Sequence, residues 1–568
     1  MADGPLLEVE SLTFRYRRAT EPAIRDLTFT VEPGEVLLVA GPSGCGKSTL
    51  IRAINGLIPH AYPGEIAGAV RLAGRSTAEM RLREISLSVG TLLQDPAKQI
   101  VGSTTEAELA FGPENLGWTP MAMRERIEAV IQAAGIGAIA QRETFALSGG
   151  ERQLLAMAGA LMLEPRLLVV DEPLANLDPA TAHRLLELLR ELADAGHAVV
   201  IVEHRVEDAL FLHPDRVLYL DGGEVRYLGA VEGFLRTVDP DAVRLPFEVV
   251  LQREREHASP PIDARALRPS SDPTAPSRLA FRDVHVDLGE REVLAGVSAD
   301  LGAREVVAVL GPNGSGKTTM LRTGMGLVRP KAGTVEVDGA STTGRTVADL
   351  ARVFGYVFQS PSQMLFCRTV REELLFGPRN LGHPIGDPDL FCMRVLERIS
   401  LGSEEGILDR PPMTLSFGQQ KRLALGIALA LEPPTLVLDE PSAGQDHRTA
   451  NAFLDDVLSI KGLESVYLVT HDVDLALTRA DRILLLRGGR VVADGPPARV
   501  IEDEERWLSC NLQTTSLMRA NRVWRPSDGR LLDAATLARH IISNEGGRLW
   551  TERDPIAPME GHMEERPG

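Results

Sequence analysis

The sequence predicts an α/β fold that occurs twice in a chain of 568 residues. Two short apolar stretches, EVLLVA at 35–40 and EVVAVL at 305–310, run into closely similar glycine-rich loops, GPSGCGKST at 41–49 and GPNGSGKTT at 311–319. Further matches follow in the same order and at nearly constant spacing, which indicates a duplicated domain. Buried strands alternating with amphipathic stretches such as 181–195 are typical of a sheet covered by helices.

The repeat organises the whole chain. Residues 258–277 hold five prolines and few apolar residues, so they predict a linker between the copies. The C-terminal extension has no counterpart in the first copy, and we expect it to dock on the second domain with a helix over 531–542. The predicted parts are a first domain at 1–240, a linker at 241–278, a second domain at 279–500 and the extension at 501–568.

Composition narrows the classes of partner. Lys and Arg total 61 against 79 Asp and Glu, a net charge of −18, which argues against attraction of the whole molecule to nucleic acid or anionic lipid. The four cysteines form no CxxC pair, so a reducing cytosol is expected rather than a disulfide framework. The longest apolar runs have about five residues where a membrane-spanning helix needs about 20, so we expect no span.

Both glycine-rich loops match G-x-x-x-x-G-K-[ST]. Glycines let consecutive backbone N–H groups wrap a phosphate, and the following helix points its positive end at the same anion. We predict that the lysines reach the β- and γ-phosphates of a nucleotide and that Ser48 and Thr318 bind Mg²⁺. The candidate nucleotide-binding residues are Gly41, Pro42, Ser43, Gly44, Cys45, Gly46, Lys47, Ser48 and Thr49, with Gly311, Pro312, Asn313, Gly314, Ser315, Gly316, Lys317, Thr318 and Thr319.

An acidic pair ends a later apolar strand in each copy. Asp171 and Asp439 are placed where a Mg²⁺ ion on a triphosphate needs a further partner. Glu172 and Glu440 come next, and we predict that each polarises the water that attacks the γ-phosphorus. Taken alone, the acids would more often cap a helix; beside two phosphate loops the catalytic interpretation is favoured.

A histidine and a glutamine complete each set. His204 and His471 follow further apolar strands, at nearly the same spacing after the acidic pair in both copies, which favours a γ-phosphate contact over a purely structural role. Gln94 and Gln359 are neutral side chains that we expect to touch the metal ion or the attacking water.

With LSGGE at 147–151 and LSFGQ at 415–419, the chain resembles the ATPase subunits of ABC transporters. The resemblance implies a P-loop NTPase domain with an α-helical signature subdomain, duplicated in tandem. It also implies that the two domains pair head to tail within one chain, each ATP lying between one phosphate loop and the other domain's signature. The signature residues that would contact nucleotide are Ser148, Gly149, Gly150 and Glu151, with Ser416, Gly418 and Gln419.

Two departures from the family pattern distinguish the copies. Tyr16 lies where the family places an adenine-stacking aromatic, but the equivalent position falls near Leu288, so stacking should be weaker in the second copy. Phe417 replaces a signature glycine. Because both glutamates and both histidines persist, we predict two hydrolytic sites of unequal affinity.

A narrower resemblance comes from 94–117 and 359–382, whose openings are similar to Q-x-P-x-x-Q and whose endings read FGPxNLG. These stretches are similar to ATPases of energy-coupling-factor transporters, importers of vitamins and transition-metal ions. The resemblance implies an integral membrane scaffold protein and a substrate-binding membrane subunit as partners, at the cytoplasmic face of the membrane, and no nucleic acid. The alternatives are the tandem ATPase of a sugar importer and a soluble tandem protein acting on ribosomes or DNA.

Overall fold

A computed structural model describes residues 4–17, 19–174, 177, 179–257, 276–289, 291–512, 514–526 and 529–544. The chain divides into two compact units. The first comprises Met1–Leu245 with Gly444–Arg448, and the second Pro246–Ala443 with Thr449–Gly568.

The first unit is built on two sheets. Its strands are β1 (Leu7–Tyr16), β2 (Ile24–Val31), β3 (Val36–Ala40), β4 (Gly64–Leu72), β5 (Arg75–Ser76), β6 (Val89–Leu92), β7 (Leu167–Asp171), β8 (Ala198–Val202), β9 (Arg216–Asp221) and β10 (Glu224–Gly229). An antiparallel sheet has the order β2-β1-β4-β5, and a mainly parallel sheet has the order β10-β9-β3-β8-β7-β6. Every residue of β3 and β8 is buried, as expected for strands covered on both faces.

Helices cover these sheets and form a separate helical subdomain, α4 to α6. The α-helices are α1 (Lys47–Ile54), α2 (Leu57–His60), α3 (Leu82–Ser86), α4 (Thr105–Asn115), α5 (Pro120–Ala133), α6 (Gly149–Leu161), α7 (Pro179–Asp194), α8 (Val206–Ala209) and α9 (Val231–Thr237). Short 3₁₀ helices lie at Pro96–Lys98, Gly137–Ile139, Thr144–Ala146 and Leu210–Leu212. The sequence pattern at 181–195 therefore correctly predicts a helix, here α7.

The second unit repeats the two sheets. Its strands are β11 (Ser277–Leu288), β12 (Arg291–Gly302), β13 (Val306–Leu310), β14 (Ala332–Val337), β15 (Ala340–Ser341), β16 (Phe354–Val357), β17 (Thr435–Asp439), β18 (Ser465–Val469), β19 (Arg482–Arg487) and β20 (Arg490–Gly495). The sheet orders are β12-β11-β14-β15 and β16-β17-β18-β13-β19-β20, the same topology as in the first unit.

The helices of the second unit include three that correspond to the helical subdomain of the first, α13 to α15. The α-helices are α10 (Phe247–His257), α11 (Lys317–Gly324), α12 (Val347–Leu350), α13 (Val370–Asn380), α14 (Pro388–Arg398), α15 (Phe417–Leu429), α16 (His447–Leu458), α17 (Val473–Arg479), α18 (Pro497–Val500), α19 (Glu504–Ser509), α20 (Ser516–Trp524) and α21 (Ala534–Asn544). Short 3₁₀ helices lie at Pro361–Gln363, Ile407–Asp409 and Pro412–Thr414. The duplicated α/β fold predicted from the sequence is confirmed.

The stretch assigned to a linker at 241–278 contains a helix, α10, in its first half. Phe247, Val250 and Leu251 are buried at the i, i+3, i+4 spacing that gives α10 one apolar face. This helix packs against α20 and α21, and the Phe247 amide donates to Ser516 Oγ at 2.8 Å. The proline-rich part lies outside the described residues at 258–275, and β11 starts at Ser277.

The C-terminal extension packs into the second unit. Trp507 is fully buried in a core that also contains Met518 and residues of the parallel sheet. The helix expected over 531–542 is α21, and its Arg539 pairs with Glu254 of α10 at 3.1 Å. Residues 545–568 lie outside the described part of the chain.

Among the residues that the structure describes, none of the helices combines the length and the apolar character that crossing a bilayer requires.

Candidate functional site

In the first unit, four neighbouring parallel strands bring the predicted residues to one edge. The strands β3, β8, β7 and β6 pair in that order, so their carboxyl ends lie side by side. The phosphate loop follows β3, His204 follows β8, Asp171 ends β7 and Gln94 follows β6. Loops at the carboxyl ends of such sheets are the usual location of ligand sites in α/β folds.

The second unit builds the same edge from β13, β18, β17 and β16. Its phosphate loop, His471, the Asp439–Glu440 pair and Gln359 occupy the corresponding places. The topology therefore brings each predicted set together within its own unit.

Both phosphate loops require glycine at their first and sixth positions. Gly41 and Gly311 have φ values of 151° and 147°, and a Cβ there would lie 2.2 and 2.1 Å from the carbonyl oxygens of Leu220 and Leu486. Gly46 and Gly316, with φ values of 106° and 100°, are the N-cap residues of α1 and α11. The loops thus form backbone cradles at helix N-termini, which suit an anion.

The lysine of each loop is folded over its own cradle. Lys47 Nζ donates to the carbonyls of Gly41 and Pro42 at 2.8 and 2.9 Å, and Lys317 makes the same two bonds in the second unit. Both lysines are buried, at 5% and 6% exposure. A buried cation beside amide groups is the charge that a triphosphate needs.

The fifth loop position differs between the units. Cys45 is 3% exposed, and burial raises the pKa of its thiol against the opposing effect of Lys47. Its counterpart Ser315 is 2% exposed, and its Oγ has no hydrogen-bond partner among the described residues. A buried hydroxyl without a partner is a donor available to a ligand in the loop.

The two predicted catalytic glutamates have unusual backbones. Glu172 and Glu440 adopt φ values of 44° and 49°, the left-handed region that costs a non-glycine residue about 1–3 kcal/mol. Each amide is held by the neighbouring strand, donating at 2.9 Å to the carbonyl of Val202 or Val469. The fold therefore holds the backbone of both glutamates in one conformation.

Glu172 lies between two of the residues predicted to accompany it. Gln94 Nε2 and His204 Nε2 each lie 2.6 Å from its carboxylate oxygens. Burial by itself raises the pKa of Glu172, but the hydrogen bond and charge of His204, with the Lys47 charge and the Gln94 hydrogen bond, together leave the pKa below its usual value. Burial together with the Glu172 charge raises the pKa of Asp171 to about 7.

Glu440 has a different electrostatic environment. His471 Nε2 lies 3.2 Å from one carboxylate oxygen, and the His471 amide donates to the other at 3.1 Å. Burial, with the Asp439 charge, raises the pKa of Glu440 to about 8 although Lys317 opposes the shift. The two glutamates thus shift in opposite directions.

The predicted metal-binding pair is in contact in the second unit. Thr318 Oγ1 donates to Asp439 Oδ1 at 3.0 Å. The described residues show no matching hydrogen bond between Ser48 and Asp171. A hydroxyl beside a carboxylate supplies the oxygen ligands that Mg²⁺ prefers, so these residues fit that ion.

Both signature segments are helix N-termini closed by a capping box. Ser148 Oγ accepts from the Glu151 amide at 3.3 Å while Glu151 accepts from the Ser148 amide at 2.7 Å. Ser416 and Gln419 make the same two hydrogen bonds at 3.3 and 3.0 Å. Glutamate and glutamine therefore both complete the capping box at the third residue of the helix. The 46% exposed Phe417 side chain takes no part in the cap.

Tyr16 lies beside the first phosphate loop at the end of β1. Its hydroxyl lies 3.1 Å from Thr49 Oγ1 and accepts from Arg52 at 2.7 Å. The strand registers place Leu288 at the same position, because Phe14 faces Ile24 in the first unit as Val286 faces Leu294 in the second. Leu288 is 51% exposed and offers no aromatic ring.

Glu203, a buried acid whose carboxylate binds the backbone amide of His204, was not identified from the sequence. Glu203 is 2% exposed, and its carboxylate accepts from the amides of His204, Arg205 and Leu174 at 2.8 to 3.2 Å. Its position directly after the buried strand β8 could have indicated this role from the sequence. Its counterpart Thr470 is also buried and accepts from the Asp472 amide.

Two phosphate cradles with buried lysines, each beside a strand-end acidic pair, define a nucleotide-binding phosphohydrolase. The family model for ABC transporters matches residues 24–175 and 294–443. The chain belongs to the ABC transporter family and is its ATP-binding ATPase subunit.

Relatives match along most of the chain. An ABC transporter ATP-binding protein of Methanosarcina acetivorans is 34% identical over 545 residues, covering 88% of each chain. A protein of Streptomyces coelicolor with the same description is 35% identical, covering 87% of this chain and 95% of its own. The solved structure of Clostridium perfringens CbiO1, described as part of the ABC transporter complex CbiONQ, is 29% identical with a TM-score of 0.37, covering 42% of this chain and 96% of that one.

Proposed function

We propose that the chain is the ATP-hydrolysing motor of an energy-coupling-factor type importer for a vitamin or transition-metal ion. ATP would bind at two composite sites, each joining one phosphate loop to the other domain's signature helix. The membrane scaffold and the substrate-binding subunit would be separate polypeptides, and the motor would sit on the cytoplasmic face of the membrane.

The observation that carries this proposal is a repeated set of exposed apolar side chains in the helical subdomains. Their exposed fractions run from 48% to 75%. Grouped exposed apolar residues are typical of protein interaction sites. They are Val101, Phe111 and Phe145 in the first unit and Phe366, Phe376 and Met413 in the second.

In each unit a buried glutamate holds the loop that carries one of these side chains, Val101 or Phe366. Glu108 accepts from the amides of Val101 and Gly102 at 2.8 and 2.6 Å. Glu373, only 1% exposed, accepts from the amides of Phe366 and Cys367 at 2.5 Å each. Charge-assisted bonds of this kind fix the loop backbone from which the apolar side chain projects.

The loops before these residues are not identical. Gln99 closes the first loop through bonds to Leu93, Thr91 and Ala156 at 3.0 to 3.3 Å. Met364 stands in the corresponding place and packs against the core, so the second glutamine of that copy, Gln363, is one residue out of step. The resemblance between the two stretches therefore rests on Gln-x-Pro and on the FGPxNLG ending.

The chemistry assigned to each site uses residues already in contact. Glu172 and Glu440 would orient and polarise the attacking water, while His204 and His471 touch these glutamates and would contact the γ-phosphate. Mg²⁺, when bound, would neutralise developing charge on the triphosphate. The residues that would hold it are Ser48, Gln94 and Asp171 in the first unit and Thr318, Gln359 and Asp439 in the second.

Purification from native membranes in detergent tests the proposal. We expect a polytopic scaffold and a small membrane protein to co-purify with the wild-type chain. Phe111→Asp combined with Phe376→Asp should release them while ATP binding persists, because these side chains lie outside the phosphate loops. Val523→Asp, at a 50% exposed residue of the C-terminal extension, is the matched control and should retain them. Recovery with ribosomes instead would overturn the proposal.

A further inference from the structure

Arg52 and Arg322 occupy the same position of the helix after each phosphate loop, but they have different partners. Arg52 donates to the Tyr16 hydroxyl at 2.7 Å and stacks over the Tyr62 ring, 4.5 Å from its centroid. Arg322 Nε donates to the Tyr356 hydroxyl at 3.1 Å. The first arginine thus supports the proposed adenine side of its site, whereas the second faces the carboxylate side.

Tyr356 connects Arg322 to the predicted metal-binding aspartate. Its hydroxyl donates to Asp439 Oδ2 at 2.7 Å, and Arg322 Nη2 lies 3.9 Å from the same oxygen. The Tyr356 ring lies 4.5 Å from the Phe358 ring, and the Arg322 guanidinium lies 5.8 Å from both rings. The phenol is therefore held by packing and by a cation as well as by its hydrogen bond.

The two oxygens of Asp439 have separate partners. Oδ1 accepts from Thr318, the hydroxyl of the phosphate loop, and Oδ2 accepts from Tyr356. The side chain is 7% exposed, so water competes little for either oxygen. Because Tyr356 binds Oδ2, the other oxygen, Oδ1, is directed at Thr318 of the phosphate loop.

The first unit lacks this arrangement in its described residues. Thr91 pairs with Val169 in the sheet as Tyr356 pairs with Val437, so the two residues are structural equivalents. The Thr91 hydroxyl lies 3.1 Å from Asn55 Oδ1, and within the described ranges no tyrosine hydroxyl contacts Asp171.

We propose that Tyr356, held by Arg322, is a positioning residue that orients Asp439 toward the metal ion of the nucleotide in the second site only. The proposal rests on the Mg²⁺ role proposed above for Asp439. Partners behind a metal-binding carboxylate fix its orientation, and their loss typically weakens metal binding about 10- to 100-fold.

The test uses the full chain with Lys47→Ala, which removes nucleotide binding at the first loop. Mn²⁺ is titrated into the complex with a non-hydrolysable ATP analogue and followed by electron paramagnetic resonance. Tyr356→Phe should weaken Mn²⁺ binding about tenfold while nucleotide affinity in EDTA stays within about twofold. Arg322→Lys, which keeps the charge but loses the planar fork, should give a smaller loss in the same direction.

The matched control is Tyr467→Phe, whose buried hydroxyl donates to the backbone carbonyls of Leu301 and Gly302 away from the site. It should leave Mn²⁺ affinity unchanged. Normal Mn²⁺ binding by Tyr356→Phe would overturn the positioning role. Nucleotide binding that is independent of Mn²⁺ in the parent chain would instead overturn the proposed metal site, and with it this inference.

Discussion

The nucleotide sites of the two units share their topology and their predicted catalytic residues but differ in what surrounds those residues. In the first unit the surroundings include Tyr16 and Arg52, which lie beside the phosphate loop where we expect adenine to stack. In the second unit they favour the carboxylate Asp439, which contacts both Thr318 and Tyr356. Duplication has thus kept the candidate catalytic residues while changing the residues that contact them.

The largest expected difference between the sites is in nucleotide affinity. Tyr16→Ala should weaken ATP binding at the first site about tenfold, because stacking of a base on an aromatic ring contributes about 1–3 kcal/mol. Binding is measured with a fluorescent nucleotide in a Lys317→Ala background, which leaves only the first loop. Leu288→Tyr, measured in a Lys47→Ala background, should strengthen the second site, and Leu288→Ala is the control. Equal losses from Tyr16→Ala and Leu288→Ala would contradict the asymmetry.

We expect the ionisation of the two glutamates to have opposite effects on the free energy of unfolding. The pKa of Glu440 is raised to about 8, so in the nucleotide-free protein its contribution to the free energy of unfolding falls as pH rises from about 4.5 to 8. The pKa of Glu172 is lowered, so its contribution is fully present above about pH 4.5 and is lost as pH falls through the folded-state pKa.

Calorimetry of the two Gln variants tests this difference. At pH 8, Glu440→Gln should raise the Tm of the nucleotide-free protein by about 5 °C, with a smaller gain at pH 5. Glu172→Gln should lower the Tm at pH 7. Glu125→Gln, at an exposed residue, should change neither value. Shifts of the same sign from both glutamates would show that their environments are alike.

The smallest effect is expected at the signature. Phe417→Gly should change ATPase activity less than about twofold, because the capping box of Ser416 and Gln419 is independent of this side chain. Ser416→Ala should lower ATPase activity by a larger factor. This substitution removes the helix cap, which typically contributes about 1 kcal/mol to stability. A large gain in rate from Phe417→Gly would indicate that the phenyl ring obstructs the signature.

Motif spacing could place the candidate catalytic residues at the strand ends because each motif is local: a loop after a strand, or an acidic pair at a strand end. The residues that contact these groups could not be predicted, because such contacts join parts of the chain that are distant in sequence. Nothing near Tyr356 in sequence indicates that its hydroxyl reaches Asp439, which lies 83 residues further on. The helix α10 was missed because the prolines after residue 257 dominated the composition of the predicted linker, although Phe247, Val250 and Leu251 have helical spacing.

The central claim is that both units hydrolyse ATP, and steady-state ATPase assays of Glu172→Gln and Glu440→Gln test it most directly. General base catalysis is typically worth about 100-fold or more, so each substitution should silence its own site. We predict that each single variant hydrolyses ATP more slowly than the wild-type chain, and that the double variant falls about 100-fold. Full activity in either single variant would contradict hydrolysis at two sites.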